Sequence, residues 1–123
     1  YEFLTVISPH ATVSQYAELE EGVQVFAGSI IQAATRIAMN TIINTRVSVD
    51  HGCAIGAHNH LAPGVTLSGG VITEKDVHIG TGAAIAQGVM ISEGSVIGCG
   101  AHLVRDVPQN SKVIPSKSKT YPF

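Results

Sequence analysis

Aliphatic residues recur along this chain at every sixth position. From Ile7 the step lands on Val13, Leu19, Val25, Ile31, Ile37, Ile43, Val49, Ile55, Leu61, Leu67, Thr73, Ile79, Ile85, Ile91, Ile97 and Leu103, and sixteen of these seventeen are aliphatic. Four residues after each lies a second set, Ala11 through Val107, small or β-branched everywhere except at Asn59. Side chains alternate faces along a strand, so each hexad predicts one short strand and a corner, with the aliphatic and small residues pointing inward. A period of six is too short for a helix pair or a propeller blade and is a signature of a parallel β-helix. Three hexads make one triangular coil. Seventeen hexads therefore predict an all-β solenoid of between five and six coils, roughly 25 Å long at about 4.8 Å per layer.

Glycine placement gives an independent reading of the corners. Nine of the thirteen glycines share the slot three residues after the aliphatic one: Gly22, Gly28, Gly52, Gly64, Gly70, Gly82, Gly88, Gly94 and Gly100. Asn40, Asp76 and Asp106 occupy the same slot. These are the residue types that best tolerate positive φ, so the slot predicts a left-handed residue at each corner. The expected organisation is a lead-in over 1–6, a β-helix domain over 7–108 and a short C-terminal tail over 109–123.

Composition adds an expectation about assembly. The chain is 45% hydrophobic and only 13% charged, more apolar than a narrow prism needs for itself, so some outer faces are expected to be buried between copies. The net charge of −2 argues against nucleic acid, which demands clustered Lys and Arg. Arg105, Lys112, Lys117 and Lys119 do gather in the last nineteen positions. They read either as a solvated cap on the open prism end or as a contact for a phosphorylated cofactor. No segment has the length and hydrophobicity of a membrane span, and Tyr1 to His10 lacks the pattern of a signal peptide. Two cysteines form no disulfide framework and fit a reducing cytoplasm.

Candidate chemistry concentrates at Val49-Asp50-His51-Gly52-Cys53-Ala54-Ile55-Gly56-Ala57-His58-Asn59-His60-Leu61-Ala62-Pro63-Gly64, which carries three of the six histidines and no Lys or Arg. This stretch resembles the "DH…IG.H.HIAPG" segment of the sialic acid O-acetyltransferase and UDP-amino-sugar N-acetyltransferase family, the NeuD and PglD type. The resemblance extends from Ile7-Ser8-Pro9 through Pro115-Ser116-Lys117. It implies a left-handed β-helix, a sense that the spacing does not reveal and that runs against the usual crossover rule. It also implies a homotrimer and transfer of acetyl from acetyl-CoA to an amine or hydroxyl of a sugar or nucleotide sugar. Family members generally carry an N-terminal α/β domain that contributes nucleotide-sugar binding. Here the register begins at Ile7 and the chain opens with Tyr1, so such a domain is expected to be absent from this chain, as in a piece of a longer protein.

By the same resemblance His51 is the catalytic base and His60 lies at the thioester. Histidine suits this task, because acyl transfer needs a group to accept the acceptor's proton at neutral pH. His51 falls beside the corner and outside the core slots; a plain exposed histidine is the alternative. Asp50, its neighbour, points to the opposite face if the segment is extended. The acidic orienting residue that often follows the histidine in the family is replaced by Gly52, which leaves the orienting partner open. His60 and His78 are one coil apart and are expected to stack, either lining a cofactor groove or as idle surface groups. The expected cofactor contacts are His60, Gly69, His78, Thr81, Cys99 and Lys117. Gly69 lies outside the main corner slot, so corner geometry does not explain it. His10, His58 and His102 read as surface residues, and Cys53 as a compact buried hydrophobe.

Two other classes fit a histidine-bearing hexapeptide helix: a zinc hydratase of the γ-carbonic anhydrase kind, and a catalytically silent structural solenoid. Zinc needs three protein ligands and an open fourth position. The histidine spacings lack the H-x-x-x-x-H pair associated with that enzyme, so no metal is expected.

Overall fold

The computed structural model describes residues 4–123; Tyr1 to Phe3 of the lead-in lie outside it. Two-residue strands recur every six residues from Val6–Ile7 to His102–Leu103, and a last one follows at Lys112–Val113. Every strand but the last pairs in parallel with strands eighteen residues away, as in Ile42↔His60 and His60↔His78. The result is three parallel sheets of seven, six and five strands, the faces of a triangular prism of about six turns. The first face contains Ile42–Ile43, His60–Leu61 and His78–Ile79, the second Ser48–Val49 and Thr66–Leu67, and the third Ala54–Ile55 and Ile72–Thr73.

The second residue of each strand points inward because each strand leads with its outer residue. Ile31, Ile37, Ile43, Leu61, Leu67, Ile79, Ile85, Ile91 and Ile97 are all at most 1% exposed. The small slot closes the core between them with Val23, Val47, Cys53, Val65, Val71 and Ala83. Where this slot holds a hydroxyl it donates to a carbonyl of the next coil: Ser29 Oγ to Asn44 O at 2.6 Å, Thr35 Oγ1 to Asp50 O at 3.0 Å, Thr41 Oγ1 to Gly56 O at 2.8 Å. Buried hydroxyls are thereby satisfied at no cost to the ladder.

Positive φ occurs at all nine corner-slot glycines, and also at Ala34, Asn40, Arg46, His58 and Asp76. Asp106 does not follow the expectation. The next left-handed residue is Asn110, because the final coil is shorter. On the third face a single bridge pairs Ile91 with Val107, and Val96 pairs with Lys112, sixteen residues on. Gly56, Gly80 and Gly98 sit outside the corner slot and are held for another reason. A Cβ on Gly80 would lie 2.7 Å from Cys99 N, and one on Gly56 would run into the Glu74 backbone. Successive coils approach there too closely for any side chain.

Candidate active site

Two clusters of chemistry emerge. The first is at the corner between the second and third faces, where the chain leaves Ser48–Val49 and turns through His51 and Gly52 (φ +69°). Asp50 Oδ1 accepts the His51 backbone N–H at 2.7 Å and lies 3.1 Å from His51 Nδ1. The segment is thus not extended. The turn that starts at Asp50 folds its side chain back over the next residue, and Asp50 is the orienting partner that the alternation of an extended strand would have excluded. The two hydrogen bonds from His51 hold the Asp50 carboxyl below the usual carboxylate range, so it is an anion at neutral pH. A carboxylate only accepts. His51 Nδ1 therefore carries the hydrogen, and in the neutral imidazole Nε2 keeps its lone pair.

Gly69 lies one coil above His51. A Cβ there would stand 2.8 Å from His51 Cε1 and 3.1 Å from Nε2, so the imidazole packs flat against the bare backbone. This accounts for a glycine that corner geometry does not require, and for its burial at a corner where its neighbours are half-buried. His51 itself remains exposed.

The second cluster is on the first face. His60 and His78 are paired across adjacent rungs, with ring centroids 5.0 Å apart and planes at 79°. Partial burial, and secondarily the neighbouring His78, push the His60 pKa below the ordinary histidine value. Asn44, at the end of the rung below, brings Nδ2 to 3.2 Å from His60 Nε2. Asn44 was not among the expected site residues, although a signal for it exists. In the slot directly after the aliphatic position, Asn44 and Asp50 are the only Asn or Asp in the repeat, and each orients a histidine.

Thr81 and Cys99 are exposed, stacked one coil apart at the corner following the first face. Lys117 is exposed beyond the last strand; Pro115, two residues earlier, packs within reach of Gly98. The chain therefore gathers His60, His78, Thr81 and Cys99 along one side, while His51 and Gly69 occupy the edge opposite that face. A single chain does not bring His51 to His60. His10, His58 and His102 are exposed, and none joins either cluster. Cys53 is buried, its thiol 3.3 Å from Ser68 O, and burial raises its pKa. Among the described residues no group of three or more His, Cys, Asp or Glu converges as metal ligands, and no helix is long and apolar enough to cross a membrane.

No protein-family model and no curated protein matches this chain. Solved structures do match. PerB from Caulobacter crescentus, in complex with CoA and GDP-perosamine, is 38% identical over 98% of the chain with a TM-score of 0.90. The acetyltransferase domain of PglB from Neisseria gonorrhoeae FA1090 is 35% identical over 91% of the chain, also at 0.90, and has a counterpart in complex with acetyl coenzyme A. WeeI from Acinetobacter baumannii AYE is 27% identical over 91% with a TM-score of 0.88. The chain spans 59% of the PerB chain and 55% of the other two.

Proposed function

Because this β-helix belongs to the hexapeptide-repeat sugar acetyltransferase family, we propose that it moves an acetyl group from acetyl-CoA to an amine, or secondarily a hydroxyl, of a sugar or nucleotide sugar. The bound CoA and GDP-perosamine of PerB, an amino-sugar nucleotide, support both the donor and the acceptor class. The observation that carries the reading is the 3.1 Å contact of Asp50 with His51. It leaves Nε2 as the nitrogen able to take a proton.

In this scheme the acceptor nitrogen attacks the thioester carbonyl carbon as His51 Nε2 removes its proton. The carbonyl oxygen gains negative charge and is met by a hydrogen bond from His60 and by a backbone N–H. Collapse breaks the carbon–sulfur bond, and coenzyme A leaves as a thiolate that takes up the proton. Thr81, Cys99, His78 and Lys117 line the side proposed for the cofactor. Gly69 serves the His51 edge.

Both histidines can act on one acetyl group only if His51 of one copy meets His60 of another, since one prism holds them on opposite sides. A homotrimer with sites between copies supplies that arrangement and covers outer apolar residues such as Ile30, Ile72, Met90 and Val96, each at least 37% exposed in the single chain. The free thiols of Cys53 and Cys99 fit a reducing cytoplasm.

His51→Ala is expected to lower turnover by roughly 10² to 10⁴ with cofactor affinity little changed. Near-normal rates at neutral pH would remove His51 from the mechanism. Mixing inactive His51→Ala and His60→Ala chains, then allowing subunit exchange, tests the shared site: recovered activity supports it, and none contradicts it.

A further inference from the structure

The side-chain amide of Asn44 has only one workable orientation. Its Oδ1 accepts the Thr45 backbone N–H at 2.8 Å and lies 3.3 Å from the Thr45 hydroxyl. Turning the amide over would set its NH₂ against that backbone N–H, donor to donor. The group facing His60 Nε2 at 3.2 Å is therefore the Asn44 amide NH₂, which can donate and cannot accept. A hydrogen bond at this distance requires the lone pair on Nε2, which puts the ring proton of neutral His60 on Nδ1.

We infer that Asn44 is a positioning residue that selects the tautomer of His60, so that the ring presents Nδ1–H as a hydrogen-bond donor. The consequence for acetyl transfer rests on the function proposed above; the tautomer itself is a property of the free protein.

The environment agrees. No other hydrogen bond to the His60 ring forms among the described residues, so Nδ1–H is not used up within the chain. Partial burial and the adjacent His78 both disfavour the imidazolium, and protonating Nε2 would place N–H against N–H at Asn44. The Asn44 carbonyl is itself held by Ser29 Oγ at 2.6 Å, which fixes the backbone from which the amide reaches up.

His51 and His60 thus carry the same Nδ1–H tautomer with opposite nitrogens engaged, an arrangement set by two residues of one hexad slot. Asp50 can only accept, so His51 offers a bare Nε2 to an acceptor's proton. Asn44 donates, so His60 offers an N–H to a developing oxyanion. One carboxylate and one carboxamide divide the roles of base and hydrogen-bond donor between two chemically identical rings.

The test is nitrogen-15 NMR of the full chain with labelled histidine, above the ordinary histidine titration range, with the His60 signals assigned from His60→Gln. Wild type should show a protonated Nδ1 and an unprotonated Nε2. Asn44→Asp keeps the acceptor for Thr45 N–H but faces His60 with an acceptor, so the tautomer should reverse and the ring should titrate at higher pH. Asn44→Ala should give a mixture. A protonated Nε2 in wild type, or an unchanged tautomer in Asn44→Asp, overturns the inference. In acetyl-transfer assays Asn44→Asp should slow turnover about tenfold or more while the His51 signals stay in place. If wild type transfers no acetyl group, the proposed function fails, and the NMR result still decides the role of Asn44.

Discussion

The hydroxyl of Thr73 donates to the side-chain oxygen of Asn59 in the core, and these are the two residues that depart from the hexad pattern. Thr73 also accepts Gly56 N–H at 3.0 Å, while Asn59 Nδ2 donates to Ala57 O and Glu74 O at 3.0 and 2.8 Å. Two polar exceptions thus form one satisfied network beneath the corner that leads into His60. Thr73→Val would strand an acceptor and a donor, so it is expected to cost about 1–3 kcal/mol. Urea unfolding of Thr73→Val, Asn59→Ala and the double variant checks this, because the coupled pair should lose less together than the singles sum to. Strict additivity would show that the pair does not act as a unit.

Gly69 and Gly70 are adjacent but constrained by different physics, so alanine at each should fail differently. At Gly70, φ is +69° and nothing lies within 4 Å of an added Cβ. Gly70→Ala should therefore lower stability by roughly 1–2 kcal/mol without touching the chemistry. Gly69→Ala pushes a methyl into the His51 ring, which can swing outward, so stability should hold while turnover falls about tenfold or more. Parallel measurement of Tm and kcat in the two variants resolves this, and equal loss of rate in both would contradict it.

Removing the carboxylate while keeping its shape isolates its effect on the base. Asp50→Asn should leave the fold intact and reduce kcat by about tenfold or more, because the His51 Nδ1 proton is then no longer held by an anion. Cofactor affinity, read by calorimetry, should stay near wild type. Unchanged kcat would make the Asp50 contact incidental.

The lowered pKa of His60 has a defined sign in stability. Above the unfolded value of 6.5 the ring is neutral in both states. As pH falls below that value the unfolded chain takes up a proton that the folded chain resists, so the unfolded state gains. The contribution is present above pH 6.5 and is lost as pH falls through the folded value. His60→Gln should flatten the fall of the urea midpoint on the acid side. An identical pH slope in wild type and variant would show that His60 does not carry this linkage.

Period and corner chemistry made the prism legible in the sequence, since both rest on properties that repeat: inward aliphatics and residues that tolerate positive φ. Ala34 and Arg46 adopt φ of 60 and 54° without that tolerance, because the ladders on either side leave the corner no alternative. His51 and His60 were legible through the motif. Their partners were not, for two separate reasons. Strand alternation turns Asp50 away from His51, but that alternation ceases at the residue where a turn begins. Asn44 acts on a histidine sixteen residues away, across a rung, where only the stacking of coils makes them neighbours.

The shortened last coil affects how this sheet meets other chains. Where the third face ends, the Met90 backbone N–H is taken by Asp106 Oδ1 at 2.9 Å instead of by a main-chain carbonyl, and only Val107 returns a bond to Met90 O. A solenoid built from identical rungs could in principle go on stacking end to end, one molecule templating the next into a filament. A carboxylate in place of a carbonyl ends that template with a charge, which no incoming strand can match.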